Sequence, residues 1–277
     1  MDTTVVKGLK VLEALAFSDG ACALTDMART CGLSKSNAHR LLRTLEECGY
    51  VRRDPRTRTY ESTLRLWELG TRVFNRLDLR VIAVPHLREL ARSTKESVHL
   101  SVFDNDEVLY VDKVDSVHAV RAYVGVGDRG PLHCTATGKA MLAGMPDDVV
   151  ERVCAQLKRY TSNTAAAPRK LKADLELIRE QGYAITSGEW RAGVLGIAAA
   201  IRSPSGIIVG GIGIAGPEER MRQANTEKQI AAVLHAAERI SKDLGFSQAS
   251  SDAETERPVP TRAASKPKRI APRRQVA

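Results

Sequence analysis

Aromatic residues make up only 4% of this 277-residue chain, and two of them are tryptophan. Five cysteines occur, an odd number with no CxxC spacing. That argues against a disulfide framework and against paired metal-ligand motifs, and it fits reduced thiols. Long hydrophobic runs are missing too. The longest apolar stretch, Gly206 to Pro217, falls far short of the ~20 residues a membrane-spanning helix needs. The opening MDTTVVKGLK has no basic segment leading into an apolar one, so no signal peptide is read, and a cytoplasmic protein without a membrane partner is expected. What remains is ordinary globular composition, 43% apolar and 27% charged, over a length that suits two modest domains.

The net charge of +9 is unevenly spread. Residues 1–80 carry 14 basic and 10 acidic side chains, residues 81–246 carry 21 and 20, and residues 247–277 carry 7 and 3. The centre is therefore almost neutral. The basic tail, rich in Ser, Ala, Pro and Arg without apolar periodicity, is predicted to be disordered. Within the first segment the excess concentrates in residues 29–65, with 9 basic and 4 acidic groups. A polyanionic partner is the natural reading of such a patch.

Val5, Leu9, Leu12, Leu15 and Ala16 recur at helical spacing and predict a first amphipathic helix from Val5 to Phe17. A second helix is expected to start with Thr25 as its N-cap and stop near Gly32. After the short Cys31-Gly32-Leu33 link, Ser34 is the expected N-cap of a third helix, with Leu33 stapling onto Ala38. Two short helices joined in this way are the signature of a helix-turn-helix. At ~100° per residue, Ala38, Leu41, Leu42 and Leu45 form one buried stripe. Ser36, Arg40, Arg43 and Glu47 then face away, flanked by Asn37, His39 and Thr44. Arginine can fork onto guanine, and Asn or Ser can reach bases or phosphates, so Ser36, Asn37 and Arg40 are the expected base readers. Next come two strand-like runs, Tyr50–Arg53 and Thr59–Ser62, around the turn-forming Asp54–Arg58. This basic hairpin reads as a wing. Lys35, Arg43, Arg52, Arg53, Arg56 and Arg58 are the expected phosphate contacts, and Ser34 and His39 complete the candidate interface with double-stranded DNA. Leu64, Leu66, Trp67, Leu69, Val73 and Phe74 predict helices leading out of the domain toward a partner subunit.

Residues 81–246 read as mixed α and β. Strands are predicted at Val98–Phe103, Glu107–Val114, Val117–Val124, Leu195–Ile201 and Ile207–Ile214, with a turn at Asp104–Asp106. Helices are predicted at Thr137–Ala143, Pro146–Gln156 and Leu171–Gly182, and one long helix from Pro217 to Leu244. The expected fold class is α+β, an antiparallel sheet flanked by helices. Gly211-Ile212-Gly213-Ile214-Ala215-Gly216 matches GxGxxG, but no second parallel strand with an acidic residue follows, so close-packed strand glycines are the preferred reading and no cofactor is expected. Catalysis finds little support. His133 and Cys134 are adjacent, and in a strand they point to opposite faces. Asp104–Glu107 lacks the glycine and the terminal glutamate of a calcium loop. Lone His86 and His99 read as structural, and no metal site is expected.

The segment LTDMARTCGLSKSNAHRLLRTLEECGYVRRDPRTRTYESTLRLWELG resembles the N-terminal domain of the IclR (isocitrate lyase regulator) family of transcription factors. ESVHLSVFDNDEVLYVDKVDS, PLHCTATGKAMLAGMP, RYTSNT, LIREQGYAITSGEWRAGVLGIAAAI and GIGIAGPEER resemble its effector domain. The likeness runs from about Thr4 to Gly245 and leaves out only the tail. It implies a winged helix-turn-helix over residues 1–66, a linker helix over 67–80, a GAF-like effector-binding domain over 81–246 and a tail over 247–277. It also implies a homodimer or homotetramer on a palindromic operator, controlled by a small-molecule effector, and a protein that is not an enzyme. Carried over by position, the effector residues are Ala136, Thr137, Thr186, Gly196, Gly213 and Ala215, with Ala119, Ala122, Gly130 and Val194 lining the same space. Members that bind small keto acids carry Asp, Cys and two Ser where Thr186, Gly196, Gly213 and Ala215 stand here. Two outcomes stay open at this point: a roomier, partly apolar pocket for an aromatic or related acid, or a space filled by neighbouring side chains. An enzyme fused to a basic module and a ligand-blind architectural DNA binder are the alternatives for function.

Overall fold

The computed structural model describes residues 3–74 and 78–246. The tail predicted to be disordered, and residues 75–77 of the expected linker helix, lie outside the described residues. The chain divides into two compact units after Val81.

The N-terminal unit runs α1 (Thr3–Ala16), β1 (Cys22–Ala23), α2 (Leu24–Thr30), α3 (Lys35–Glu47), β2 (Val51–Arg53), β3 (Thr59–Ser62) and α4 (Arg65–Phe74). Val11, Leu15, Met27, Leu41, Leu42, Val51 and Tyr60 close a small core. The predicted stripe of α1 is turned. Val5 and Leu9 are more than half exposed, while Val11 is fully buried. Gly8 sits against Leu41 on the inner face, where a Cβ would only just touch it at 3.9 Å, so α1 approaches α3 along the line through Gly8, Val11 and Leu15. Thr25 is not an N-cap either. The two-residue strand β1 pairs Cys22 with Tyr60 and Ala23 with Thr59, and the chain passes from it straight into α2. Ser34 does cap α3, its Oγ accepting from the Asn37 amide at 3.3 Å. Gly32 adopts φ +64, the left-handed geometry that an inter-helix turn needs and that glycine accepts without strain.

The C-terminal unit continues with α5 (Asp78–Thr94), β4 (Ser97–Asp104), β5 (Glu107–Val114), β6 (Arg129–Pro131), α6 (Ala136–Leu142), α7 (Asp147–Cys154), α8 (Pro168–Gln181), β7 (Ala184–Ser187), β8 (Val194–Arg202), β9 (Ile208–Pro217), α9 (Glu218–Gln223) and α10 (Thr226–Asp243). Six strands form one antiparallel sheet in the order β6-β5-β4-β9-β8-β7. Asn105 and Asp106, both at positive φ, make the two-residue hairpin between β4 and β5. Both α6 and α10 pack on β8 and β9. Ala136 of α6 meets the face of Gly196, and Thr137 and Met141 meet Gly211.

Three expectations fail here. Val117–Val124 is not a strand but a bent loop with Val117, Val120 and Tyr123 largely exposed. Its β-branched residues have no partner strand, and propensity without pairing does not make a sheet. The short β6 takes the edge beside β5 instead. The long C-terminal helix is two helices, because Asn225 leaves helical geometry and caps α10, its Oδ1 accepting from the Lys228 amide at 2.9 Å. His133 and Cys134 lie in a turn rather than a strand. The strand β7 has no counterpart among the sequence expectations, being four residues long.

The GxGxxG run is strand β9 itself, so it forms no phosphate-binding turn. A Cβ on Gly213 would stand 2.6 Å from the Ile197 carbonyl oxygen and 2.7 Å from Ala198 Cβ. Gly213→Ala should therefore cost roughly 1–3 kcal/mol by forcing β8 and β9 apart. Thermal unfolding followed by circular dichroism checks this, and an unchanged melting temperature would contradict the packing argument.

Candidate functional sites

The third helix brings the expected base readers onto one exposed face. Ser36, His39, Arg40 and Arg43 are exposed and Asn37 is half-buried, while Ala38 and Leu42 are fully buried on the far side. Several cations there are already held. Arg40 Nη2 donates to Asn37 Oδ1 at 3.3 Å, and Arg43 Nε pairs with Glu47 at 3.1 Å. In the hairpin, Arg52 is ion-paired to Glu61 and Arg53 lies over the Tyr60 ring at 5.7 Å. These exposed pairs contribute little to stability, so a phosphate can compete for them. By contrast, the side chains of Arg56 and Arg58 make no hydrogen bond or ion pair among the described residues. The Asp54 carboxylate accepts from the Arg56 and Thr57 amides at 2.7 and 3.2 Å, and these bonds hold it below the usual carboxylate range. That turn fixes the loop carrying Arg56. Lys35 and Ser34 sit at the exposed start of α3.

In the C-terminal unit, a cavity of about 270 Å³ opens at one end of the sheet. Strand register explains its walls. Thr186, Gly196 and Ala215 align across β7, β8 and β9, and His99 stands opposite Gly213 one step along. Side chains in these two rows point to the same face. The cavity brings together Ala122, Ala136, Thr137, Thr186, Val194, Gly196, Gly213 and Ala215 of the expected set. The remaining two stand apart from it. Ala119 is exposed on the bent loop, and Gly130 lies behind the wall, where a Cβ would meet Trp190 and Tyr110 at 3.4 Å. A Cβ at Gly196 would come within 3.0 Å of Ala136 Cβ and 3.1 Å of Thr186 Oγ1, so glycine is what lets these two cavity residues approach β8.

Sequence reasoning overlooked much of the lining: His99, Tyr110, Cys134, Glu189, Trp190, Arg121 and Arg191 among others. The one available signal was Trp190, a large aromatic in a chain poor in them. Its loop is firmly held. The hydroxyls of Thr161 and Thr164 each donate at 2.6 Å, to the carbonyls of Gly188 and Glu189 respectively. Lys139 on α6, 2% exposed, reaches Asp174 on α8 at 2.8 Å and Glu189 Oε1 at 2.9 Å. Arg191 lies over the Trp190 ring at 4.5 Å and donates to the Tyr123 carbonyl at 2.7 Å.

The cavity is polar in a graded way. His99 and Tyr110 are buried, whereas Arg121 and Arg191 are exposed. Burial pushes the Tyr110 phenol up to about 12 against a smaller opposing effect of a hydrogen bond with Thr137. Burial, reinforced by Glu189, lifts the Cys134 thiol to about 12, so it is no nucleophile. His133 Nε2 lies 2.8 Å from the Lys158 carbonyl oxygen. Among the described residues, no group of three or more His, Cys, Asp or Glu is placed to hold a metal ion.

His99 is drawn down to about 4, chiefly by burial and next by Lys113, with Arg191 acting the same way and Asp115 against. The unfolded chain takes up a proton near pH 6.5, while the folded one resists until about pH 4. Stability contributed by neutral His99 is therefore complete above pH 6.5 and declines as pH falls through that window, by on the order of 3 kcal/mol. Wild type should lose more stability than His99→Gln between pH 6.5 and 4 in chemical denaturation. Parallel losses in the two proteins would refute this.

Comparison with known proteins covers both units of the chain. The family described as "IclR helix-turn-helix domain" matches residues 4–55, and "Bacterial transcriptional regulator IclR C-terminal" matches residues 71–242. The chain is 33% identical over 246 residues to the HTH-type transcriptional regulator KdgR of Escherichia coli, covering 88% of this chain and 93% of that one. The crystal structure of Thermotoga maritima IclR is 31% identical, covers 89% of this chain and 100% of its own, and superposes with a TM-score of 0.71. An IclR homologue from Microbacterium hydrocarbonoxydans, crystallised with 4-hydroxybenzoate, is 28% identical over 87% of this chain and 99% of its own, with a TM-score of 0.77. The relatives are named as transcriptional regulators rather than enzymes. With a helix-turn-helix unit and an α/β unit matched in order over most of its length, this chain belongs to the IclR family of DNA-binding transcriptional regulators.

Proposed function

We propose that this regulator binds a palindromic operator as a homo-oligomer and that a small organic or aromatic acid in the sheet-end cavity controls it. The observation that carries the reading is the cavity itself: about 270 Å³, with apolar walls, a few hydroxyls and two arginines at its exposed end. A ligand-blind architectural protein has no use for such a space, and convergent polar groups in an apolar cleft are the usual mark of a ligand site. Arg121 and Arg191 change the expected ligand chemistry. A carboxylate need not rely on backbone amides and threonine hydroxyls alone, because guanidinium groups are present to receive it. The relative crystallised with 4-hydroxybenzoate supports an aromatic acid as the effector class.

Control works as a population shift. The acid binds one arrangement of the effector units better than another, and paired recognition helices change their spacing on the two operator halves. Ser36, Asn37 and Arg40 read bases. Lys35, Arg43, Arg52, Arg53, Arg56 and Arg58 hold phosphates.

A thermal-shift series tests the effector class: aromatic acids should raise the melting temperature more than glyoxylate or pyruvate. Stabilisation by the keto acids alone would overturn the reading. On DNA selected for tight binding, Arg40→Ala should cost ~1–3 kcal/mol and relax preference at one base pair, while Arg56→Ala should weaken all sequences alike and reduce the salt slope by about one. Identical effects of the two substitutions on specific and nonspecific DNA would remove the division of roles.

A further inference from the structure

We propose that His99 is a specificity-determining residue of the cavity, receiving an uncharged hydroxyl or carbonyl oxygen of a ligand whose carboxylate lies against Arg121 and Arg191. The proposal rests on the reading of the cavity as an acid-binding site and adds which second group the acid carries.

The carrying observation is an orphan. His99 is 4% exposed and lines the cavity, yet its Nε2 makes no hydrogen bond among the described residues. Buried polar atoms are almost always paired, and leaving one unpaired is destabilising. The neighbours do not satisfy it. The Tyr110 ring stands at 70° to the imidazole with its centroid 5.6 Å away, and His99 Nε2 finds no hydrogen bond there. Opposite His99 on β9 stands Gly213, which offers no side chain. The Glu189 carboxylate, whose Oε2 also lacks a hydrogen bond, is compensated by Lys139 at 2.7 Å. His99 is thus left as the uncompensated polar group of the buried end.

The charge of the surroundings fixes what it can take. Lys113 and Arg191 oppose a proton on the imidazole, burial opposes it more strongly, and Asp115 alone favours it. A neutral imidazole offers one donor and one acceptor nitrogen, so it suits a hydroxyl or, as donor, a carbonyl oxygen. A carboxylate placed there would lose its hydration for a single neutral donor, whereas the arginines at the exposed end offer it charged ones. At the exposed end the balance reverses. Arg191 spends one N–H on the Tyr123 carbonyl and keeps further donors for a carboxylate, and Arg121, whose Nε lies 3.9 Å from Asp115, lines the same cavity with its remaining donors. Between the ends, Ala136, Val194, Gly196 and Ala215 suit an apolar body. The ligand class is an acid with an uncharged oxygen at its far end, such as a hydroxylated aromatic acid.

Titration calorimetry on the full-length protein tests this with 4-hydroxybenzoate and 4-methylbenzoate, which match in size and differ in hydrogen bonding. Wild type should prefer the hydroxyl compound by about tenfold or more. His99→Phe should bring the ratio near one by weakening 4-hydroxybenzoate alone, and His99→Gln, which can still hydrogen-bond, should restore part of the preference. Arg191→Ala should weaken both acids alike. In wild-type protein the His99 imidazole ¹⁵N resonances should move with 4-hydroxybenzoate and not with 4-methylbenzoate, which keeps the test open if His99→Phe does not fold. Equal affinity of wild type for both acids, an unchanged ratio in His99→Phe, or unmoved resonances would overturn the role of His99 and leave the acid-binding cavity standing. Binding of neither acid, with stabilisation by small keto acids only, would overturn both.

Discussion

The C-terminal unit depends on backbone that carries no side chains. Where β9 and β8 pass under α6, Gly211 lies against Thr137 and Met141, and Gly196 lies against Ala136. Side chains in those positions would lift α6 from the sheet. The same absence that allows this approach also leaves the cavity unfilled at its floor, because the row Thr186, Gly196, Ala215 has little bulk. Packing and site thus share one constraint. A larger or more polar anchor at Gly213 is barred by the Ile197 carbonyl, so on this backbone hydrogen-bonding groups enter from α6, β4, β5, β7 and the loops.

Lys139 supplies the second constraint. Its buried ammonium draws together α6, α8 and the loop of Glu189, Trp190 and Arg191. A buried charge of this kind is a costly group that holds its place only while its partners stay paired, so it specifies geometry more than it adds stability. The loop it anchors carries a cavity aromatic and a cavity cation. Arg191 in turn reaches the Tyr123 carbonyl, and Lys113 stacks over the Tyr123 ring at 4.2 Å. Arg220 holds the same bent loop from the other side through the Val120 carbonyl at 2.9 Å, while pairing with buried Glu96. Cavity walls from four separate stretches of chain are therefore cross-braced by a few cations.

What the sequence revealed follows from how local each signal was. The helix-turn-helix and its hairpin were legible because Ala38, Leu41 and Leu42 repeat at helical period and Ser34 caps in place. The rotation of α1 was not, since Val5 and Leu9 share the period of Val11 and Leu15, and only the docking of Gly8 on Leu41 selects between the two lines. Val117–Val124 read as strand from its β-branched residues, but an edge at β5 was already taken by a three-residue strand too short to announce itself. At the cavity, resemblance found the small residues of the sheet. It passed over His99, Tyr110 and Arg191, whose importance arises from strand register and from a loop folding back, neither of which leaves a periodic trace.

The paired arginines of the proposed DNA face show the same economy in a different medium. Arg43, Arg52 and Arg40 each rest on a neighbouring side chain at 3.3 Å or closer, and all are exposed. Exposed pairs are weakly bound and screened by salt, so releasing them to phosphate costs little. Meanwhile they limit the rotamers a long cation explores, which lowers the entropy lost on docking. Arg56 and Arg58, without such partners among the described residues, keep their freedom and suit nonspecific attraction. On the proposed assignment the basic residues divide by use without changing type: Arg40 rests on Asn37 where a base is read, Arg43 and Arg52 rest on glutamates until phosphate replaces them, and Arg56 and Arg58 stay free where only charge is needed.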